Sequence, residues 1–121
     1  MQIEIQTRGI SLSNALRDYT ERRLRFALAS ASDRVRRIKV RFSDVNGPRG
    51  GIDKRCRIQA MFNGLGEVVM EDTETDPFHA LGRAADRLGR SISRRLELRH
   101  SRDRSIPRRL RRADISLIQP A

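Results

Sequence analysis

Apolar and polar residues alternate along MQIEIQ (1–6): Met1, Ile3 and Ile5 fall on one face, Gln2, Glu4 and Gln6 on the other. That period of two predicts a strand with one buried side. After Gly9 the period lengthens. SLSNALRDYTERRLRFALASA places Leu16, Leu24, Ala27 and Ala31 on one stripe, with Tyr19, Phe26 and Leu28 toward its margins. This is a helix, and Ser13 or Asn14 suits its N-cap. Alternation returns in RIKVRF, with Ile38, Val40 and Phe42 inward, and again in RCRIQAMF, with Cys56, Ile58, Ala60 and Phe62 inward. NGLG (63–66) turns the chain into a further strand, EVVMED. Asp76 before Pro77 is a strong helix start, and Leu81, Ala85, Leu88, Ile92 and Leu96 carry the helical period to about His100.

The order strand, helix, three strands, helix predicts an α/β fold, specifically an α+β two-layer sandwich. The first two strands lie parallel through a right-handed crossover, and the last three form a meander. Each helix has one apolar stripe, so both cover the same face of the four-stranded mixed sheet. The glycine-rich DVNGPRGGID (44–53) is a flexible connection. Residues 1–100 make one domain. Residues 101–121 keep no period, contain Pro107, and read as a basic, disordered tail.

Charge sharpens this picture. The 121 residues carry 26 Lys+Arg against 15 Asp+Glu, a formal net charge of +11. Such an excess points to a polyanionic partner, most often nucleic acid. Only Lys39 and Lys54 are lysines; a GC-rich genome explains that ratio as well as phosphate binding does, so it carries no weight. Position matters more. Arg83, Arg87, Arg90 and Arg94 recur at spacings of four, three and four, within a wedge of about 60° opposite the apolar stripe. The row spans about 16 Å, enough to meet two or three phosphates. Asp86 is in reach of Arg90, but nothing comparable neutralises Arg83, Arg87 or Arg94, so the row is expected to be electrostatically unbalanced. On the first helix Arg22 and Arg25 point outward, and Arg17 and Arg23 lie nearer the apolar edge.

Acids cluster in EDTETD (71–76), beside the second helix's N-terminus, where the helix dipole favours them. The open sheet face carries Arg37, Lys39, Arg41, Arg55 and Arg57 with Glu4, Glu67 and Glu71, a pattern that suits cross-strand ion pairs. Glu67 and Glu71 are expected opposite Arg57 and Arg55. No aromatic residue faces out there to stack on bases.

Little in the chain suggests catalysis. His79 and His100 lie too far apart to share a metal, and no CxxC or HExxH spacing occurs. The single cysteine, Cys56, reads as a small core residue and fits a reducing compartment. GPRGG (47–51) lacks the Gly-Lys-Ser/Thr of a phosphate loop. Neither enzymatic activity, a cofactor nor a metal is expected. With no apolar run of membrane-spanning length and no signal segment, a soluble cytoplasmic protein is expected.

Two strings, MQIEIQTRGISLSNALRDYTERRL and DPFHALGRAADRLGRSISRR, resemble the ribosome hibernation-promoting factor and ribosome-associated inhibitor A family over about residues 1–100. The family's "ALR-acid-aromatic" helix start is Ala15-Leu16-Arg17-Asp18-Tyr19 here. Its "D-basic-L-x-R" segment is Asp86-Arg87-Leu88-Gly89-Arg90, with Arg94 and Arg95 beyond. The resemblance implies a βαβββα fold similar to double-stranded-RNA-binding domains. It implies basic helices docked on rRNA of the small ribosomal subunit near the decoding region, where they block mRNA and tRNA and silence translation in stress or stationary phase. By resemblance the rRNA contacts are Arg17, Arg23, Arg87, Arg90 and Arg94; Arg22, Arg25, Arg83 and Arg95 join them from charge geometry. The loop at 44–54 is longer and richer in glycine than in compact members, FALASAS lacks the family's lysine and aromatic pattern, and the short basic tail leads to the expectation of no ribosome-dimerising domain. A monomer on the ribosome is expected. Two other readings fit the charge: a general structured-RNA binder or RNA chaperone, and a module that binds an acidic protein.

Overall fold

In a computed structural model of the protein, residues 2–45 and 53–105 are described, with side chains through residue 100. Their order is β1 (Ile3–Arg8), α1 (Asn14–Ala27), β2 (Val35–Asp44), β3 (Lys54–Phe62), β4 (Gly66–Glu74) and α2 (Pro77–Ser105), with a 3-10 segment, Ala29–Arg34, between α1 and β2. The strands form one sheet in the order β1-β2-β3-β4. β1 and β2 are parallel, and β2, β3 and β4 are successively antiparallel. The α+β sandwich expected from the period changes is the one observed.

The register sets the sheet's two faces. Ile5, Val40, Ile58 and Met70 line up across the four strands, and Ile3, Ile38, Ala60 and Val68 form a second row. Both rows face the helices. Against them pack Leu16 and Leu24 of α1 and Leu81, Leu88 and Ile92 of α2, all essentially inaccessible. A third row, Thr7, Phe42, Cys56 and Asp72, ends in a carboxylate on the edge strand. Cys56 is fully buried, and burial pushes its thiol pKa up to about 12.

Both helix starts are capped as anticipated. Ser13 Oγ accepts from the Leu16 amide at 3.1 Å, and Asp76 Oδ1 accepts from the Phe78 amide at 2.6 Å. The end of α1 departs from expectation. The helix stops at Ala27, and Ala31 leaves helical geometry at φ −129° within the 3-10 segment. Once the chain abandons 3.6 residues per turn, a helical wheel no longer assigns faces. Leu28, placed at the margin, caps the helix and is fully buried; Ala27, placed in the stripe, is the last helical residue, lies against Gly89 of α2 and is half-buried.

α2 runs to Ser105, five residues into the segment read as tail. Residues 106–121, and residues 46–52 of the glycine-rich loop with GPRGG, lie outside the described residues. The β3–β4 turn uses Gly64 (φ +78°) and Gly66 (φ +80°), backbone angles that side chains disfavour.

The helices lie side by side and run in the same direction. Tyr19 approaches Gly82 and Ala27 approaches Gly89, one pair near each end of the crossing. A methyl group at Gly89 would stand 2.8 Å from the Ala27 carbonyl oxygen, so glycine is what lets the backbones come this close. The helix layer therefore presents one continuous outer surface.

Candidate nucleic-acid interface

α1 and α2 supply the cations of that outer surface. Helical period turns Arg22 and Arg25 outward from α1, and Arg83, Arg87, Arg90 and Arg94 outward from α2, because each lies across the helix from its buried stripe. All six are exposed, as is Arg17. Their electrostatic states differ, and tertiary contacts decide which of them are free.

Arg83 and Arg87 are not unbalanced, contrary to the sequence-based expectation. Arg83 Nε lies 3.3 Å from Asp72 Oδ2 and 3.1 Å from Glu74 Oε1. Arg87 Nη1 donates to the Glu71 carbonyl at 2.8 Å and stands 3.9 Å from Asp72. The cause is the sheet register: Asp72 and Glu74 fall on the helix-facing side of edge strand β4, directly under the arginine row. Of EDTETD, only Asp76 caps the helix; these two acids serve the arginines instead. With Arg83 two-thirds exposed, such pairs contribute roughly 0–1 kcal/mol each. A phosphate can therefore compete for Arg83 at small cost.

Arg23 is committed more firmly. Its Nη2 sits 2.6 Å from Asp86 Oδ1 and donates to the Gly82 carbonyl at 3.1 Å, with only 24% of the side chain exposed. Asp86 thus neutralises Arg23 across the helix–helix seam rather than Arg90 within its own helix. Arg95 leaves the row altogether. Its Nη1 donates to the Leu65 carbonyl at 2.6 Å, and Arg99 donates to the Gly64 carbonyl at 2.7 Å, so both fasten the β3–β4 turn to α2.

That leaves Arg17, Arg25, Arg90 and Arg94, which make no hydrogen bond or ion pair among the described residues. Arg22 has only the Tyr19 ring, 5.9 Å from its guanidinium carbon. Arg90 and Arg94 line an open groove of about 430 Å³ along the seam, with Phe26, Ala27, Gly89 and Ser93 among the other lining residues. Phe26 is 76% exposed, the most exposed large apolar side chain among the described residues. Reading it as a stripe-margin residue missed this. FALASAS ends the helix one residue later, and none of the described residues covers the ring.

The opposite face of the molecule is also basic but more compensated. Arg37 Nη2 lies 3.1 Å from Glu4, and this hydrogen bond holds the Glu4 carboxyl below its usual range. Glu71 lies 3.9 Å from both Arg55 and Arg57. Glu67 stands opposite Met61, not Arg57, and accepts a hydrogen bond from Gln59 at 3.0 Å. Arg41 contacts the neutral Gln6.

Among the described residues no group of three or more His, Cys, Asp or Glu could hold a metal ion, and no helix is long and apolar enough to cross a membrane.

Comparison with known proteins agrees with this architecture. The family described as Sigma 54 modulation protein / S30EA ribosomal protein matches residues 3–100. The N-terminal domain of Protein Y from Thermus thermophilus superposes with a TM-score of 0.65 at 30% identity, covering 78% of this chain and 98% of that one. A ribosomal subunit interface protein from Coxiella burnetii has the same fold, with a TM-score of 0.64 at 18% identity, covering 78% and 96%. No curated protein matches the chain. A matched span of 98 residues, carrying the two strings noted above and this fold, means that the chain belongs to the Sigma 54 modulation protein / S30EA ribosomal protein family, the hibernation-promoting factors.

Proposed function

We propose that this protein is a non-catalytic, ribosome-associated inhibitor of translation. Residues 1–100 form its binding domain. The outer surface of its two helices docks on rRNA of the small subunit near the decoding region, excluding mRNA and tRNA when cells are stressed or in stationary phase. It acts in the cytoplasm, as a monomer on the ribosome, with residues 101–121 as a basic extension. Family membership supports the ribosome as target. The observation that carries the mechanism is the set of exposed guanidiniums of Arg17, Arg25, Arg90 and Arg94 in one helix layer, which have no partner among the described residues. Guanidiniums contact phosphates in pairs of hydrogen bonds and hold position on the backbone with little base readout. Arg22 and the weakly paired Arg83 and Arg87 extend the surface. Arg23 shapes it by tying the two helices together.

Arg90 and Arg94 support no contact of the fold, so reversing them isolates binding from stability. Sedimentation of the protein with small subunits through a sucrose gradient provides the test. R90E/R94E is expected to stay at the top of the gradient while melting like the unmodified protein. Unchanged co-sedimentation of that variant defeats the helical-surface mechanism. Excess duplex RNA distinguishes the general RNA-binder reading: easy displacement from the subunit favours it.

A further inference from the structure

We infer that the groove between α1 and α2 is a docking slot for one unpaired nucleobase, stacked on Phe26 and held by its flanking phosphates on Arg90 and Arg94. This deepens the RNA-binding reading above and rests on it.

Three observations meet at the groove. Phe26 leaves 76% of its surface to solvent and packs neither in the core nor against another ring; the described ring pair is Tyr19–Phe78. With three-quarters of its surface in water, the ring contributes little burial to folding. The groove has a floor of small groups, since Gly89 has no side chain and Ala27 and Ser93 contribute little bulk. Its volume, about 430 Å³, falls within the range of clefts that take small organic groups.

Charge selects the occupant. Arg90 and Arg94 line the groove with no partner among the described residues, and Arg22 stands one turn before Phe26 on the same helix. Of the two acids in the lining, Asp86 is neutralised by Arg23, leaving Glu97 alone at the far end. An apolar plate beside cations calls for a ligand with a flat π face and an anionic backbone. A single-stranded nucleotide has both. Any base presents a π face, so the slot is tolerant of sequence, as stacking platforms are.

The protein contains no tryptophan, so F26W places a single reporter in the slot. The probes are a 12-nucleotide oligoadenylate RNA and an abasic ribose-phosphate oligomer of the same length. Oligoadenylate is expected to quench F26W emission on saturation, and the abasic oligomer is not. F26A is expected to weaken oligoadenylate binding by about five- to a hundredfold, with the abasic oligomer bound as before. F26L, which keeps a branched apolar side chain without the ring, is expected to behave like F26A and to melt like the parent. The inference is overturned if F26A and F26L weaken both oligomers alike or neither. It is also overturned if they weaken binding to intact small subunits but not to oligoadenylate, which assigns the ring to a protein contact. R90E/R94E separates the two levels. If that variant loses both oligomers while F26A keeps both, the slot fails and the RNA-binding reading stands. If R90E/R94E binds both oligomers and the small subunit normally, the reading itself fails.

Discussion

Replacing Gly89 by alanine should destabilise the protein, even though alanine is the better helix former. In an exposed helix interior the exchange gains about 0.8–1.0 kcal/mol. Here the added methyl would meet the Ala27 carbonyl oxygen at 2.8 Å and the Ala27 Cβ at 3.3 Å. Both groups are anchored in α1 and neither can rotate away, so relief requires the helices to part. Separation loosens the packing of Leu24 and Leu28 against Leu88 and Ile92, which are completely buried. Overpacking costs about 1–3 kcal/mol, and a backbone atom that cannot yield puts this site in the upper part of that range, about 2–3 kcal/mol, so the net loss is roughly 1–2 kcal/mol after the helical gain. For a domain of about 100 residues that lowers the melting temperature by about 5–15 °C. Thermal denaturation followed by far-ultraviolet circular dichroism reads this directly. Gly82→Ala is the matched control. Its methyl would face the Tyr19 hydroxyl at 3.0 Å, the far end of a side chain that can tilt. Its melting temperature should stay within about 4 °C of the parent, because the helical gain roughly offsets the crowding. A Gly89→Ala protein that melts at or above the parent temperature refutes the claim that this glycine exists for helix contact.

Other expectations follow from the same coordinates. Lys54 Nζ lies 3.1 Å from both Asp44 and Asp53, and Asp53 is almost fully buried. Lys54→Met therefore removes both of these ion pairs from beside a buried carboxylate and should lower the urea midpoint of unfolding. The Cys56 thiol, raised to about 12 by burial, should resist a disulfide-exchange reagent at pH 8 in the native protein and react at once after denaturation. Because that thiol stays neutral in the fold but ionises near 9 when exposed, its contribution to stability is full below pH 9 and declines from pH 9 toward 12. Equilibrium unfolding at stepped alkaline pH should show this decline, and Cys56→Ala should lose that component of it. If about five phosphates are neutralised on small subunits, log K should fall with log salt at a slope of roughly 3.5–4.5. A slope near zero in a filter-binding titration contradicts phosphate-dominated docking.

Much of the architecture can be read along the chain, because local periodicity directly reports which side of an element is buried. The strand alternations and the arginine azimuths on α2 follow from periods of 2 and 3.6, and the Ser13 and Asp76 caps from side chains that can accept a hydrogen bond from a free helix amide. The meander and crossover follow from connection lengths. What periodicity does not contain is the identity of the neighbour across an interface. Arg83 belongs to an exposed row on any helical wheel; only the alignment of Thr7, Phe42, Cys56 and Asp72 across the sheet sets a carboxylate beneath it. Asp86 sits one turn from Arg90 in sequence, yet the close crossing at Gly82 and Gly89 delivers it to Arg23, 63 residues away. Arg95, five residues after Arg90, turns to the β3–β4 carbonyls because α2 lies over that turn. Side-chain direction is a property of one helix or strand, whereas charge compensation is a property of two that pack. The chain alone therefore determined where the cations could be, and the packing of α1, α2 and β4 decided which of them are compensated by a neighbouring acid or carbonyl.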